Sequence, residues 1–173
     1  VYKRQPSEFA SMTGQAITRL MHEAGVPEAI FQLVLGEGTT GKSLIDAPID
    51  GVFFTGSQST GTAIAQAVAH RCLPIQLELG GKDPSYVADD VDVKAAAEAL
   101  VDGAFYNNGQ SCCAVERIYI HHSIYFQFRT HFLEAVAKLK MGDPSLPDTY
   151  LGPLTRGQQA EVLKAQIADA IDK

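Results

Sequence analysis

The chain has 173 residues, 46% hydrophobic and 20% charged, with a formal net charge of −6. That balance fits a soluble globular protein; the acidity argues against nucleic acid as a main partner, and no apolar run approaches the roughly 20 residues of a membrane-spanning helix. The three cysteines, Cys72, Cys112 and Cys113, do not make a disulfide framework, which points to a reducing, cytoplasmic setting.

Val1, Tyr2, Lys3, Arg4 and Gln5 are the translation of a transposase-end adapter used in sequencing libraries, so residues 1–5 are expected to be foreign to the gene. Residues 9–24 carry Ile17, Leu20, Met21 and Ala24 at helical spacing, and Gly25, Val26 and Pro27 end that helix. Residues 31–35 read as a short buried strand. Gly36, Gly38 and Gly41 follow, a weak sign of phosphate binding, and residues 42–47 read as a helical turn closed by Pro48. Residues 51–55 are the next strand. Gly56 and Ser57 then lead through Gly61 into an amphipathic helix over residues 62–70. A strand, a Gly turn and a helix in succession point backbone N–H groups and a positive helix end at a phosphate, although a capped turn without a ligand has the same pattern.

Residues 74–79 form a third strand of this unit and bring Glu78 to its carboxyl end, where ligands of open parallel sheets collect. Glu78 lies between Leu77 and Leu79, ahead of Gly80, Gly81 and Lys82. Apolar flanks suit a general base, but the same pattern fits a carboxylate facing solvent from a half-buried strand. A second region then opens with a strand over residues 85–87 and a helix over residues 92–106, whose Val93, Ala97, Leu100, Val101 and Ala104 share a face. Asn107, Asn108, Gly109, Gln110, Ser111, Cys112 and Cys113 interrupt that pattern before a strand over residues 117–121. A cysteine on such a turn has the fixed sulfur and the nearby N–H groups that attack on a carbonyl requires; two small core residues beside a Gly turn read equally well from spacing alone. Residues 124–139 carry Phe128, Phe132, Leu133, Val136 and Leu139 on one helical face, residues 144–149 are a loop, and residues 158–172 are a last helix. Glu116 and Arg117 are expected to be a surface or intersegment ion pair without a catalytic role, and His121 and His122 reproduce no zinc spacing.

The two segments Leu77, Glu78, Leu79, Gly80, Gly81, Lys82 and Gly109, Gln110, Ser111, Cys112 together resemble the signatures of the aldehyde dehydrogenase superfamily, in the family's order. The resemblance runs from Pro6 to the last residue. It implies an α/β fold: part of a Rossmann-like parallel-sheet cofactor domain over residues 6–80, then the start of an α/β catalytic domain over residues 81–173. Both ends look like cuts, so the chain is expected to be an interior fragment of a longer enzyme.

The resemblance further implies oxidation of an aldehyde to a carboxylic acid, with Cys112 as nucleophile and Glu78 as the base that releases the thioester. The Cys112 N–H is the implied oxyanion donor; its partner Asn lies upstream of this chain, so Asn107 and Asn108 are not given that role. Thr55, Gly56, Ser57, Gly61 and Leu79 are implied cofactor contacts. Glu8 matches the position that accepts from the adenosine ribose, favouring NAD with NADP possible, although Gln5 stands where the family has Lys. The implied partners are a small aldehyde and, for the full-length enzyme, a second or fourth copy of itself; no metal is implied. Two other readings stay open, a nucleotide-binding or interaction protein without turnover and a coenzyme A-acylating enzyme. The fragment alone is expected to be inactive, with Phe128 and Phe132 lacking covers.

Overall fold

The computed structural model describes residues 1–173. Two compact units divide the chain, Val1–Glu78 and Leu79–Lys173. Strands and helices alternate over most of the chain, giving the α/β class.

In the first unit, β1 (Tyr2–Arg4) runs parallel to β2 (Phe31–Leu33), with Tyr2 opposite Phe31 and Arg4 opposite Leu33. Residues 2–4, part of the stretch expected to be foreign, thus lie in register beside β2. Between them a short 3-10 turn, Glu8–Ala10, leads into α1 (Ser11–Glu23). The buried residues of α1 are Gly14 and Thr18, whereas Leu20 is exposed, which differs from the apolar face read from spacing. Thr18 is buried at little cost because its Oγ1 donates to Gly14 O at 2.9 Å.

Helix α2 (Gly38–Asp46) begins four residues before the expected turn, and β3 (Val52–Gly56) is followed directly by α3 (Gln58–Val68). Ser57 caps α3 by accepting from Thr60 N at 3.2 Å, so the helix starts ahead of Gly61 and not after it. Strand β4 (Ile75–Leu79) pairs with β3; these two and β1 with β2 make separate two-stranded sheets.

In the second unit, β5 (Asp83–Val87) and β6 (Val115–Ile120) are parallel and are joined by α4 (Val93–Phe105), a strand–helix–strand unit. Asp92 starts α4 by accepting from Ala95 N at 3.0 Å. Helix α5 (Tyr125–Val136) packs beside α4, and α6 (Gly157–Asp172) ends the chain with no residue buried. The core gathers Val87 from β5, Val93 and Ala97 from α4, Ile124, and Phe128 from α5, with Leu100, Ile118, Ile120 and Phe132 against it. Phe128 and Phe132 stack with ring centroids 5.7 Å apart. Phe128 is only 2% exposed, so the expectation that it lacks a cover fails: α4 and the sheet supply one. Leu133, read as part of the same face, points outward and is exposed.

Candidate active site

Helix α4 stops because Tyr106 turns to extended backbone (φ −53°, ψ 142°) and the next three residues are left-handed: Asn107 (φ 52°), Asn108 (φ 58°) and Gly109 (φ 69°). Gly and Asn tolerate that region best, which is why the sequence reads Asn-Asn-Gly here. The turn is fastened internally. Asn107 Nδ2 donates to Gln110 O at 3.0 Å, while Gln110 donates to Asn107 O from its backbone N at 3.1 Å and from Nε2 at 3.0 Å.

Ser111, Cys112 and Cys113 then make a tight turn closed by Ala114 N donating to Ser111 O at 3.3 Å, and β6 begins. Cys112 is exposed at the apex. Its N–H donates to no acceptor in the chain, whereas that of Cys113 donates to Ser111 Oγ at 3.4 Å. An accessible sulfur and an uncommitted N–H on one residue are what carbonyl attack and oxyanion binding use. Gly81, just before β5, comes close to this turn: a Cβ there would stand 3.3 Å from Cys112 O and 2.8 Å from Asp83 Oδ1.

Cys113 has a different environment. Ser111 Oγ lies 3.3 Å and Tyr106 Oη 3.4 Å from its Sγ, and Tyr106 also donates to Ser111. The Ser111 hydroxyl, then that of Tyr106, lowers the Cys113 pKa, and the bond to Cys113 raises that of Tyr106. Nothing in sequence spacing signals this cluster, because Tyr106 reads as the end of a helix.

Glu116 pairs with Lys82 and not with Arg117. The register explains the difference: Asp83 is opposite Val115 and Pro84 opposite Arg117, so Glu116 is the extra residue of a bulge and is turned toward the segment before β5.

The residues expected to hold a cofactor lie in the first unit, apart from Leu79. Thr55 and Gly56 are exposed at the carboxyl end of β3, and Ser57 follows as the cap of α3, its hydroxyl also bonded to those of Ser59 (3.1 Å) and Thr60 (2.9 Å). Gly61 is not on the open turn. It is buried within α3 and its N–H donates to Ser57 O at 2.9 Å, so that N–H is already engaged. Glu8 is exposed, with Ser7 Oγ donating to its Oε2 at 3.3 Å. Gln5 donates from Nε2 to Gly36 O at 2.8 Å and to Glu37 O at 3.0 Å, tying β1 to the start of α2.

Glu78 closes the first unit and half-buried Leu79 opens the second. Strand alternation puts Leu77 and Leu79 on one face and Glu78 on the other, so the leucines do not enclose the carboxylate. Glu78 is exposed and accepts from Gln76 Nε2 at 2.7 Å, the solvent-facing one of the two arrangements its flanks allow. No group of three or more His, Cys, Asp or Glu side chains is arranged to hold a metal ion, and no helix is long and apolar enough to cross a membrane.

Comparison with known proteins gives a consistent picture. The model of the aldehyde dehydrogenase family matches residues 1–173. The chain is 41% identical over 167 residues to a 4,4'-diapolycopene aldehyde oxidase of Methylomonas sp, covering 96% of this chain and 31% of that protein. It is 37% identical over 172 residues to the lactaldehyde dehydrogenase of Escherichia coli (strain K12), covering 98% and 36%. Among solved structures, an NAD-dependent aldehyde dehydrogenase from Sinorhizobium meliloti superposes with a TM-score of 0.94 at 33% identity, covering 98% of this chain and 34% of that one. The C291A mutant of aldehyde dehydrogenase C from Pseudomonas syringae, complexed with NAD+ and octanal, gives 0.91 at 32% identity, covering 98% and 35%. The chain thus spans about a third of the length of these relatives. With the fold, both signature segments and the full-length family match in agreement, the chain belongs to the aldehyde dehydrogenase family.

Proposed function

We propose that the protein containing this chain oxidises an aldehyde to a carboxylic acid with NAD, through a covalent intermediate on Cys112. The observation that carries the reading is the pairing, on one residue, of an exposed sulfur with an N–H that has no acceptor in the chain. As a thiolate, Cys112 forms a bond to the carbonyl carbon while the carbonyl electron pair moves to oxygen, and the Cys112 N–H holds that charge. Bound NAD supplies the acceptor for the hydride that leaves this carbon, so that the acyl group remains on sulfur as a thioester. Glu78 then takes a proton from water as the water oxygen bonds to the acyl carbon, and the carbon–sulfur bond breaks to return the thiolate.

The residues present fit the cofactor. Thr55, Gly56 and Ser57 offer exposed backbone and hydroxyl groups at the positive end of an 11-residue helix, which suits a diphosphate. Glu8 is exposed and able to accept from ribose hydroxyls, and its charge disfavours a 2′-phosphate, the basis for NAD over NADP. Leu79 contributes apolar surface, and Gly61, without a side chain in the first turn of α3, leaves room beside Ser57. The NAD-dependent enzyme of Sinorhizobium meliloti and the NAD+ complex of the Pseudomonas syringae enzyme support NAD, and the free cysteines support a reducing, cytoplasmic compartment. Assembly into a homodimer or homotetramer is part of the same proposal, and light scattering of the full-length protein measures it.

Aldehyde and NAD are added to the full-length protein and reduced cofactor is followed by absorbance. Cys112→Ser is expected to remove turnover, and Glu78→Gln to leave a single burst of reduced cofactor without steady release of acid. Full activity in Cys112→Ser defeats the reading. Acid release by Glu78→Gln at the wild-type rate removes Glu78 from the role of base, whereas acyl transfer to added coenzyme A in preference to water favours the acylating alternative.

A further inference from the structure

The nucleophile turn is fastened to a distant segment by two side chains. Asn108 Nδ2 donates to Gly152 O at 2.8 Å and to Pro153 O at 3.3 Å, and Gln110 Oε1 accepts from Thr155 N at 2.9 Å. The amide of Gln110 works at both ends, since its Nε2 also donates to Asn107 O. The strap that receives these bonds is itself held down. Tyr150 donates its hydroxyl to Asp102 of α4, and the N–H groups of Tyr150 and Leu151 donate to Lys140 O at 3.0 Å and 2.9 Å. The strap is therefore anchored on the helix from which the turn emerges.

We propose that Asn108 and Gln110 are positioning residues, which clamp the turn to the Gly152–Thr155 strap and so fix the direction of the Cys112 sulfur. The inference rests on the assignment of Cys112 as nucleophile. Three successive left-handed residues are a costly conformation that surrounding structure must impose, and the clamp imposes it. Cys112 lies two residues beyond Gln110, so slack in the turn passes directly to Sγ. The alternative is that Asn108 is present only because asparagine tolerates a positive φ, in which case glycine serves as well.

Three variants of the full-length protein separate these: Asn108→Gly, which keeps the backbone at ease and removes the donor; Gln110→Ala, which removes both ends of the amide; and Gln110→Glu, which keeps an acceptor for Thr155 N–H. The expected result for Asn108→Gly and Gln110→Ala is a fall in kcat on the order of 10- to 100-fold, the size of effect a small misplacement of a reacting atom produces, with KM for NAD unchanged. Gln110→Glu is expected to recover part of kcat, because it keeps the acceptor for Thr155 N–H and loses the donor to Asn107 O. Hydrogen exchange without substrate or cofactor gives an independent readout: the Thr155 amide loses protection in Gln110→Ala and keeps it in Gln110→Glu. Wild-type kcat in Asn108→Gly, or a Gln110→Glu variant no better than Gln110→Ala, overturns the proposal. If Gln110→Ala fails to fold, Asn108→Gly decides. Failure of the underlying assignment shows separately, as aldehyde oxidation that survives Cys112→Ser.

Discussion

Tyr106 Oη stands 3.4 Å from Cys113 Sγ, so the residue after the proposed nucleophile is held by a phenol from the end of α4, while both sulfurs stay accessible. The two cysteines are chemically unlike although they are adjacent. Ser111 and Tyr106 lower the Cys113 pKa, so Cys113 is ionised at a pH where an ordinary thiol still holds its proton. Tyr106→Phe and Ser111→Ala each remove a stabilising hydroxyl. The pH midpoint for alkylation of Cys113 by iodoacetamide, read by peptide mass, is therefore expected to move upward in both variants, further in Ser111→Ala. A midpoint that stays in place in Tyr106→Phe contradicts this account.

Gly81 approaches the carbonyl of Cys112 closely enough that a methyl group there displaces either Asp83 or the turn. Asp83 Oδ1 is the end of a short side chain and can give way, but Cys112 O is backbone. Gly81→Ala is expected to lower kcat by about tenfold with little change in the melting temperature. Steady-state kinetics beside a thermal melt checks both halves of the statement.

Phe128 fills the space between α5, α4 and the β5–β6 pair. Truncation to alanine in that setting costs about 3–5 kcal/mol. Exposed Leu133, one turn further on, is expected to cost less than about 0.5 kcal/mol when replaced by alanine. Urea denaturation of the two variants in the full-length protein measures the difference.

Made alone, the 173-residue chain is expected to self-associate and to show no turnover. Phe53 on β3 is 82% exposed, and Tyr86 and Tyr119, opposite one another on β5 and β6, are 68% and 53% exposed. Apolar surface of this kind on a soluble protein marks a face that another segment or molecule covers. Gel filtration over a range of concentrations tests the first half, and a sharp monomer peak at all of them refutes it.

The order of helices and strands was readable because the apolar spacing is regular where packing is dense: Val93, Ala97 and Val101 are all buried, as their spacing required. Boundaries failed where local chemistry outweighed pattern. Gln58 to Gly61 looks like a loop, yet the Ser57 cap draws it into α3; Gly38 to Gly41 looks like a turn, yet it begins α2. The two signature segments located Cys112 and Glu78, and alternation along β4 decided between the two surroundings that the leucine neighbours of Glu78 left open. The pairing of Glu116 with Lys82 depends on a bulge, and the bonds from Asn108 and Gln110 to the strap join residues far apart in the chain. Neither leaves a mark on local sequence.

Asn108 is followed by Gly109, the dipeptide in which a side-chain amide is most readily lost, by cyclisation onto the next backbone nitrogen. The bonds to Gly152 and Pro153 fix the orientation of that amide. Once deamidation did occur, a carboxylate would face two carbonyl oxygens. Chemical ageing at this one atom would then remove one of the two side-chain ties between turn and strap, leaving that of Gln110 to Thr155 N.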